Sequence, residues 1–460
     1  MTNNALTVWP VRTLSAALVC LVLVLAGCDR EEKLPGARID PRVPLGETEH
    51  LVSPITDTEI RNFEYKPLQN RAEPFVPPAA IVNAEWSHIN GNARHTGFHP
   101  QLGSPLNQVW SARIGEGNSR RKQINAEPIV AEGLIFAMDS VSQLSAFTLA
   151  GIRQWTLDLA SQTDSDRQVG SGGMAYDNEI LYVTTEAGIL YLIEARTGRI
   201  IRHQDFDAPA PYPPAAADGQ VYVLTADSKG WGVNAANDRL LWTVSGGLTN
   251  VVLSGGVSPA IAGSTTIMPL NSGQIVSVEN RSGGINWRAY TGGSSASEPK
   301  AFLLGLSGSP LFDSGFIYAA TLAGRILKIN GTDGSFVWER NLGASDTMWL
   351  AGGSLFLVAD DGKLTRLNAS DGTAIWQHQL PHFVQKNPRR RKDVHVNFGP
   401  ILAGGRLLVA SSSGSLFEYS PVDGALLAER SLPSGAATPP IVANGMMFLI
   451  TTDGVLRAYR

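Results

Sequence analysis

From residue 315 to 338 the chain reads GFIYAATLAGRILKINGTDGSFVW, and its apolar positions alternate. Phe316, Tyr318 and Ala320 share one side of an extended run, and after a turn at Gly324 the pair Ile326 and Lys328 opposes Leu327 and Ile329. A second turn at Asp333 and Gly334 leads to Val337 and Trp338. Period-two alternation broken by Gly-containing turns predicts three strands joined by two hairpins. The pattern recurs. Each copy opens on a slot that holds, in order, Pro128, Gly173, Pro214, Pro259, Pro310, Met348, Pro400 and Pro440. About 28 residues later stands a second slot, holding Trp155, Arg202, Trp242, Trp287, Trp338, Trp376 and Ala428. One more tryptophan, Trp110 in LNQVWSARIG, precedes the first full copy.

From Trp110 to Ala428 seven steps span 318 residues. The mean, about 45, is the period of a four-stranded propeller blade. The expected fold is therefore all-β, an eight-bladed propeller. Its last copy supplies only three strands, within PPIVANG, MMFLITTDG and VLRAYR, so the orphan strand at Trp110 is expected to complete blade eight and close the ring. The slot tryptophans Trp110, Trp155, Trp242, Trp287, Trp338 and Trp376 are expected to pack between blades. Arg202 and Ala428 lack that apolar area, so their blades are expected to be weaker, with Arg202 also a candidate for facing a partner.

Composition agrees with a large core. The 460 residues are 43% hydrophobic and 17% charged, with 47 glycines, and a net charge of −4 argues against a nucleic-acid partner. Residues 1 to 27 read as a targeting segment, with Arg12 its single charge and a mostly apolar run from Leu14 to Ala26 that is short for a membrane span. It ends in Leu25-Ala26-Gly27-Cys28, which resembles a bacterial lipobox, so Cys28 is expected to carry lipid. Cys20 leaves with the leader, and no disulfide is expected. Residues 28 to 85, with eight prolines after Cys28, read as a tether reaching roughly 40 Å, and residues 86 to 460 as the propeller.

Two segments outside the repeat carry candidate chemistry. In WSHINGNARHTGFHP, His95 and His99 have the i, i+4 spacing of a helical metal pair, but Gly97 and Pro100 argue against a helix, so loop packing is expected and no metal site. QKNPRRRKD, residues 385 to 393, has five basic residues, including Arg389, Arg390, Arg391 and Lys392. It reads as a solvated loop, with lipid headgroups or an acidic partner as the alternative.

The unit P-x-V-x-x-G, then G-x-[IL], then G-x-x-x-W, seen in PIVAEGLIF, GKLTRLNASDGTAIW and GRILKINGTDGSFVW, resembles the pyrroloquinoline-quinone-type propeller repeat. Two families share it, the quinoprotein dehydrogenases and the BamB lipoproteins of outer-membrane β-barrel assembly. The first resemblance implies a quinone, calcium ligands, a vicinal disulfide and long insertions. This chain has no vicinal cysteines and little room for insertions. Lipobox, proline-rich tether and eight compact blades together resemble BamB. That likeness implies a non-catalytic scaffold without cofactor, facing the periplasm from the inner leaflet of the outer membrane, although Asp29 after the lipobox resembles an inner-membrane retention signal. It implies docking on a periplasmic domain of the barrel-inserting subunit, with unfolded outer-membrane proteins as further partners. The family's Leu-x-Leu-Arg-Gly docking loop is matched by Val251, Val252, Leu253, Ser254 and Gly255, where Ser254 departs from the arginine. Gly305 and Ser307 stand where the family has an acidic pair. A quinoprotein dehydrogenase and a generic periplasmic binding propeller are the alternatives.

Overall fold

The computed structural model describes residues 68–160, 170–247, 255–292, 304–321, 323–385 and 387–460. The stretch 315 to 338 forms strands Phe316–Thr321, Arg325–Asn330 and Phe336–Arg340, with the short inner strand Leu311–Asp313 completing an antiparallel sheet. Eight four-stranded sheets occur among the described residues. We number them as blades 1 to 7, at 129–158, 171–205, 215–245, 260–290, 311–340, 349–379 and 397–431, and blade 8 at 441–459 plus Gln108–Arg113. Pro128, Pro214, Pro259, Pro310 and Pro440 stand directly before the first inner-strand residue, where the ladder needs no N–H. They fix where each blade begins.

Alternation inside a blade buries both faces, because each has a neighbour. In blade 5, Ile317, Ala319, Leu327 and Ile329 pack with Ile267 and Val276 of blade 4. Tyr318, Ala320, Ile326 and Trp338 pack with Leu355 and Leu357 of blade 6. The ring closes as expected: Trp110 pairs with Ala458 and Ser111 with Arg457, and Asn107 and Arg460 exchange backbone hydrogen bonds of 2.9 Å.

The tryptophan slot is an inter-blade clasp with two parts. Each indole Nε1 donates to a backbone carbonyl of the following blade: Trp110 to Leu149, Trp155 to Ala195, Trp242 to Asn280, Trp287 to Gly331, Trp338 to Ala369 and Trp376 to Pro421, at 2.8 to 3.3 Å. Beneath the ring lies a glycine of that blade's turn. At Gly372, φ is +73° and a Cβ would stand 2.8 Å from the Trp338 ring, so a side chain there would meet both backbone strain and the indole.

The two exceptions replace the indole with other contacts. Arg202 donates to Ala235 O at 3.1 Å, the position an indole would use, and its Nε lies 3.4 Å from Asp238, which replaces the turn glycine. It faces the next blade. Ala428 lies opposite Glu418, whose side chain is 2% exposed and pairs with Arg406 and, at 2.8 Å, with Arg430. Blade 8 has no turn at this place, because its inner-to-outer passage is interrupted by the chain termini. The buried ion network stands there instead, and Arg406 also donates to Gly404 O at 3.2 Å.

Residues 83 to 101 form a stopper at one end of the central channel and bond to every blade in turn. Trp86 exchanges backbone bonds with Val130 of blade 1, and Ser87 O accepts from Tyr176 N of blade 2. His88 Nε2 lies 3.1 Å from Ala216 N of blade 3, Ala93 O accepts from Ile261 N of blade 4, and Arg94 O accepts from Phe312 N of blade 5. Trp86 stacks on Trp349 of blade 6, Pro100 O accepts from Gly404 N of blade 7, and Asn83 O accepts from Asn444 N of blade 8. His95 Nδ1 bonds Pro310 O at the entry to blade 5, while His99 bonds Pro78 O through Nδ1 and accepts from Gly405 N of blade 7 at Nε2.

Upstream, a strap lies along blades 6 and 7, where the sequence was expected to be tether. Asn70 exchanges side-chain bonds with the backbone of Gln377, Arg71 N donates to Ile375 O, and Glu73 N donates to Val422 O. Arg366, 3% exposed, clamps it by donating to Glu73 O and Pro74 O while its guanidinium lies 5.3 Å from the Phe75 ring.

Candidate functional site

The stopper occupies the channel end formed by the turns that follow the inner strands. The opposite face carries the connections from each outer strand to the next inner strand, and Gly255 lies there. Val251, Leu253 and Ser254 are outside the described residues. Gly255 has φ +80°, its N–H donates to Pro211 O at 3.0 Å, and a Cβ there would come 3.0 Å from the Asn125 side chain. Next to it, Ser309 Oγ donates to Gly256 O at 3.2 Å and accepts from Ser258 N at 2.9 Å. Ser307 N donates to Ala320 O, while its buried Oγ has no partner. The connection into blade 4 and the connection into blade 5 are therefore tied together through Ser309, which brings Gly255 and Ser307 into one neighbourhood. Cys28 also lies outside the described residues.

At the hub, Trp86 and Asn90 of the stopper meet Glu127, Asp346, Thr347, Pro400 and Pro440 around a cavity of about 10 Å³, room for about one water. Asp346 accepts from Thr347 N at 2.7 Å and Gly399 N at 2.9 Å, and the Asn90 N–H faces Glu127. Loss of water pushes Asp346 up to about 6 despite those donors. The same loss of water, with the Asp346 charge added, holds Glu127 well above the usual carboxylate range. His88 and His95 are lowered to about 3 and about 4, both chiefly by burial. This is a set of groups whose charged forms burial disfavours, in a space far smaller than the roughly 300 Å³ or more of a small-molecule pocket. Among the described residues, no helix is long and apolar enough to cross a membrane and no group of three or more His, Cys, Asp or Glu is placed to hold a metal.

Sequence reasoning missed the stopper, the strap with its Arg366 clamp, and the Glu418 network. The only sequence signal for the first was the cluster of Trp, His and Asn in a segment without periodicity.

Closed ring, clasp and repeat define a pyrroloquinoline-quinone-like eight-bladed propeller. Residues 142–378 and 383–460 match the family model of the outer membrane protein assembly factor BamB, and the chain belongs to that family. BamB of Moranella endobia is 23% identical over 369 residues, covering 78% of this chain and 90% of the relative. The crystal structure of BamB from Moraxella catarrhalis superposes with a TM-score of 0.66 at 17% identity, covering 77% of this chain and 99% of the other. The quinohemoprotein alcohol dehydrogenase of Comamonas testosteroni shares the fold at a TM-score of 0.64 and 14% identity, covering 82% of this chain and 80% of the other.

Proposed function

We propose that the chain is a non-catalytic propeller subunit of the outer-membrane β-barrel assembly machinery, held by lipid on Cys28 at the periplasmic side of the outer membrane. The family match over more than half of the chain carries this reading. Val251, Leu253, Ser254 and Gly255 would dock on a periplasmic domain of the barrel-inserting subunit, with unfolded outer-membrane proteins as clients. The fixed neighbourhood of Gly255 and Ser307 supports a docking patch of two adjacent connections. Because Ser254, Gly305 and Ser307 bring no charge, docking here rests on the apolar side chains and depends little on salt. The dehydrogenase reading is disfavoured by the sequence, which has no vicinal cysteine pair.

Affinity capture from solubilised envelopes tests the assignment, with a barrel-assembly subunit as the expected catch. Leu253→Asp should weaken capture at least about tenfold, on the order of 1.4 kcal/mol. Capture that survives this change places docking elsewhere, and a catch without any barrel-assembly subunit removes the assignment.

A further inference from the structure

The basic segment between blades 6 and 7 is a built hairpin. Phe383 pairs with Val394, Val384 N donates to Asp393 O at 3.0 Å, and His395 N donates to His382 O at 2.7 Å. At its tip, residues Pro388–Arg390 make one 3-10 turn, capped by Asn387, whose side chain accepts from Arg389 N at 3.1 Å. Arg391 is drawn back, its guanidinium 4.4 Å from the Phe383 ring centre, whereas Arg389, Arg390 and Lys392 are exposed. Around them Val384, Val394 and Val396 are 43%, 52% and 47% exposed. Exposed valines under a basic tip are the composition of a surface that enters the headgroup layer, with apolar area going inward and cations meeting phosphates.

A second observation concerns where the chain joins the ring. Asn70 bonds Gln377 and Arg71 bonds Ile375, so the strap runs antiparallel to the outer strand Ala374–Gln379 and begins at that strand's hairpin end. Five residues separate Gln377 from His382, at most about 17 Å of extended chain. The strap's first described residues thus lie near the base of the basic hairpin. On the same face, two connections further round the ring, Arg120, Arg121 and Lys122 form another basic group in the connection into blade 1, while Asp393 sits at the hairpin's base and Asp361 is paired with Lys363 at 2.6 Å.

We propose that the hairpin from His382 to His395 is a membrane-surface contact for anionic phospholipid, pressing the blade 6–7 rim of the propeller onto the bilayer. A lipid anchor alone leaves the ring free to turn; the hairpin sets its orientation. The connection carrying Gly255 lies three connections away and is left facing the periplasm.

The test uses the propeller unit, residues 66 to 460, which contains all eight sheets and the strap. It is sedimented with vesicles of phosphatidylcholine alone and with vesicles containing about one third phosphatidylglycerol. Binding to the anionic vesicles only, falling as salt rises, is expected. At about fivefold for each cation, combined Arg389→Glu, Arg390→Glu and Lys392→Glu should weaken binding at least tenfold while the melting curve stays unchanged. Val394→Asp should weaken it by a route that salt does not imitate. Equal sedimentation with both vesicles overturns the proposal, as does unchanged binding by the triple variant. If the triple variant binds vesicles normally but loses capture of a protein from solubilised envelopes, the hairpin is a protein contact and the proposal fails.

Discussion

A tryptophan at the end of an outer strand asks two things of the next blade, a carbonyl for its Nε1 and a bare glycine under its ring. Arg202 satisfies the first and exchanges the second for a carboxylate at Asp238. Arg202→Trp alone should therefore destabilise, because Asp238 occupies the space and is left unpaired. Adding Asp238→Gly should restore stability, with a coupling on the order of 1 to 3 kcal/mol in a double-mutant cycle of urea unfolding. Additive effects would mean that the two positions do not form one clasp. Glu418 makes the sharper prediction. Its side chain is nearly inaccessible and faces two arginines, so Glu418→Ala leaves buried Arg406 uncompensated and should cost about 3 to 5 kcal/mol. That rivals truncating a slot tryptophan such as Trp338, at roughly 3 to 5 kcal/mol. These substitutions were visible in the sequence as gaps in a repeat. Their repair was not, because Asp238, Arg406 and Glu418 lie outside the slot and only folding brings them to it.

The stopper is an element without periodicity, and the repeat could not announce it. Blades, their count and their closing strand were legible because one alternation and one turn chemistry recur. Residues 83 to 101 are used once, by eight different partners, and each contact is set by the local loop. A chain starting at residue 85 should melt well above one starting at residue 102, although both keep the strand Gln108–Arg113. Equal melting would make the stopper dispensable. The hub also sets two opposed pH dependences. Asp346 and Glu127 are raised, so the folded hub holds protons that the unfolded chain gives up; the Asp346 contribution is full at acid pH and is lost as pH rises through about 6, and that of Glu127 has the same sign. His88 and His95 are lowered, so their contribution is full above the ordinary value of 6.5 and is lost as pH falls toward about 4. Asp346→Asn removes part of the first and leaves the second. Its melting temperature should fall more steeply than the parent's between about pH 7 and pH 4.5. A parallel pair of curves would show that Asp346 is not linked to folding.

At the scale of the whole molecule the ring is a contact between the two ends of the chain. Gln108 and Arg457 meet across 349 residues of sequence, and the stopper bonds both to blade 1 and to blade 8. The proposed docking loop rests on resemblance alone, since a few apolar residues in a connection have no pattern of their own. The hairpin's charge was legible and its shape was not. The seam also orders the protein's history. Synthesis makes residues 83 to 113 well before the strand Val455–Tyr459, so at about 5 to 20 residues per second the closing partners wait on the order of half a minute for each other. Throughout that interval the ring has an open end, available to chaperones and proteases. Pulse-labelled chains should become protease-resistant in one step, only after the last residues are released. A stop codon at Val455 should leave the whole propeller sensitive, including the seven blades whose strands are complete.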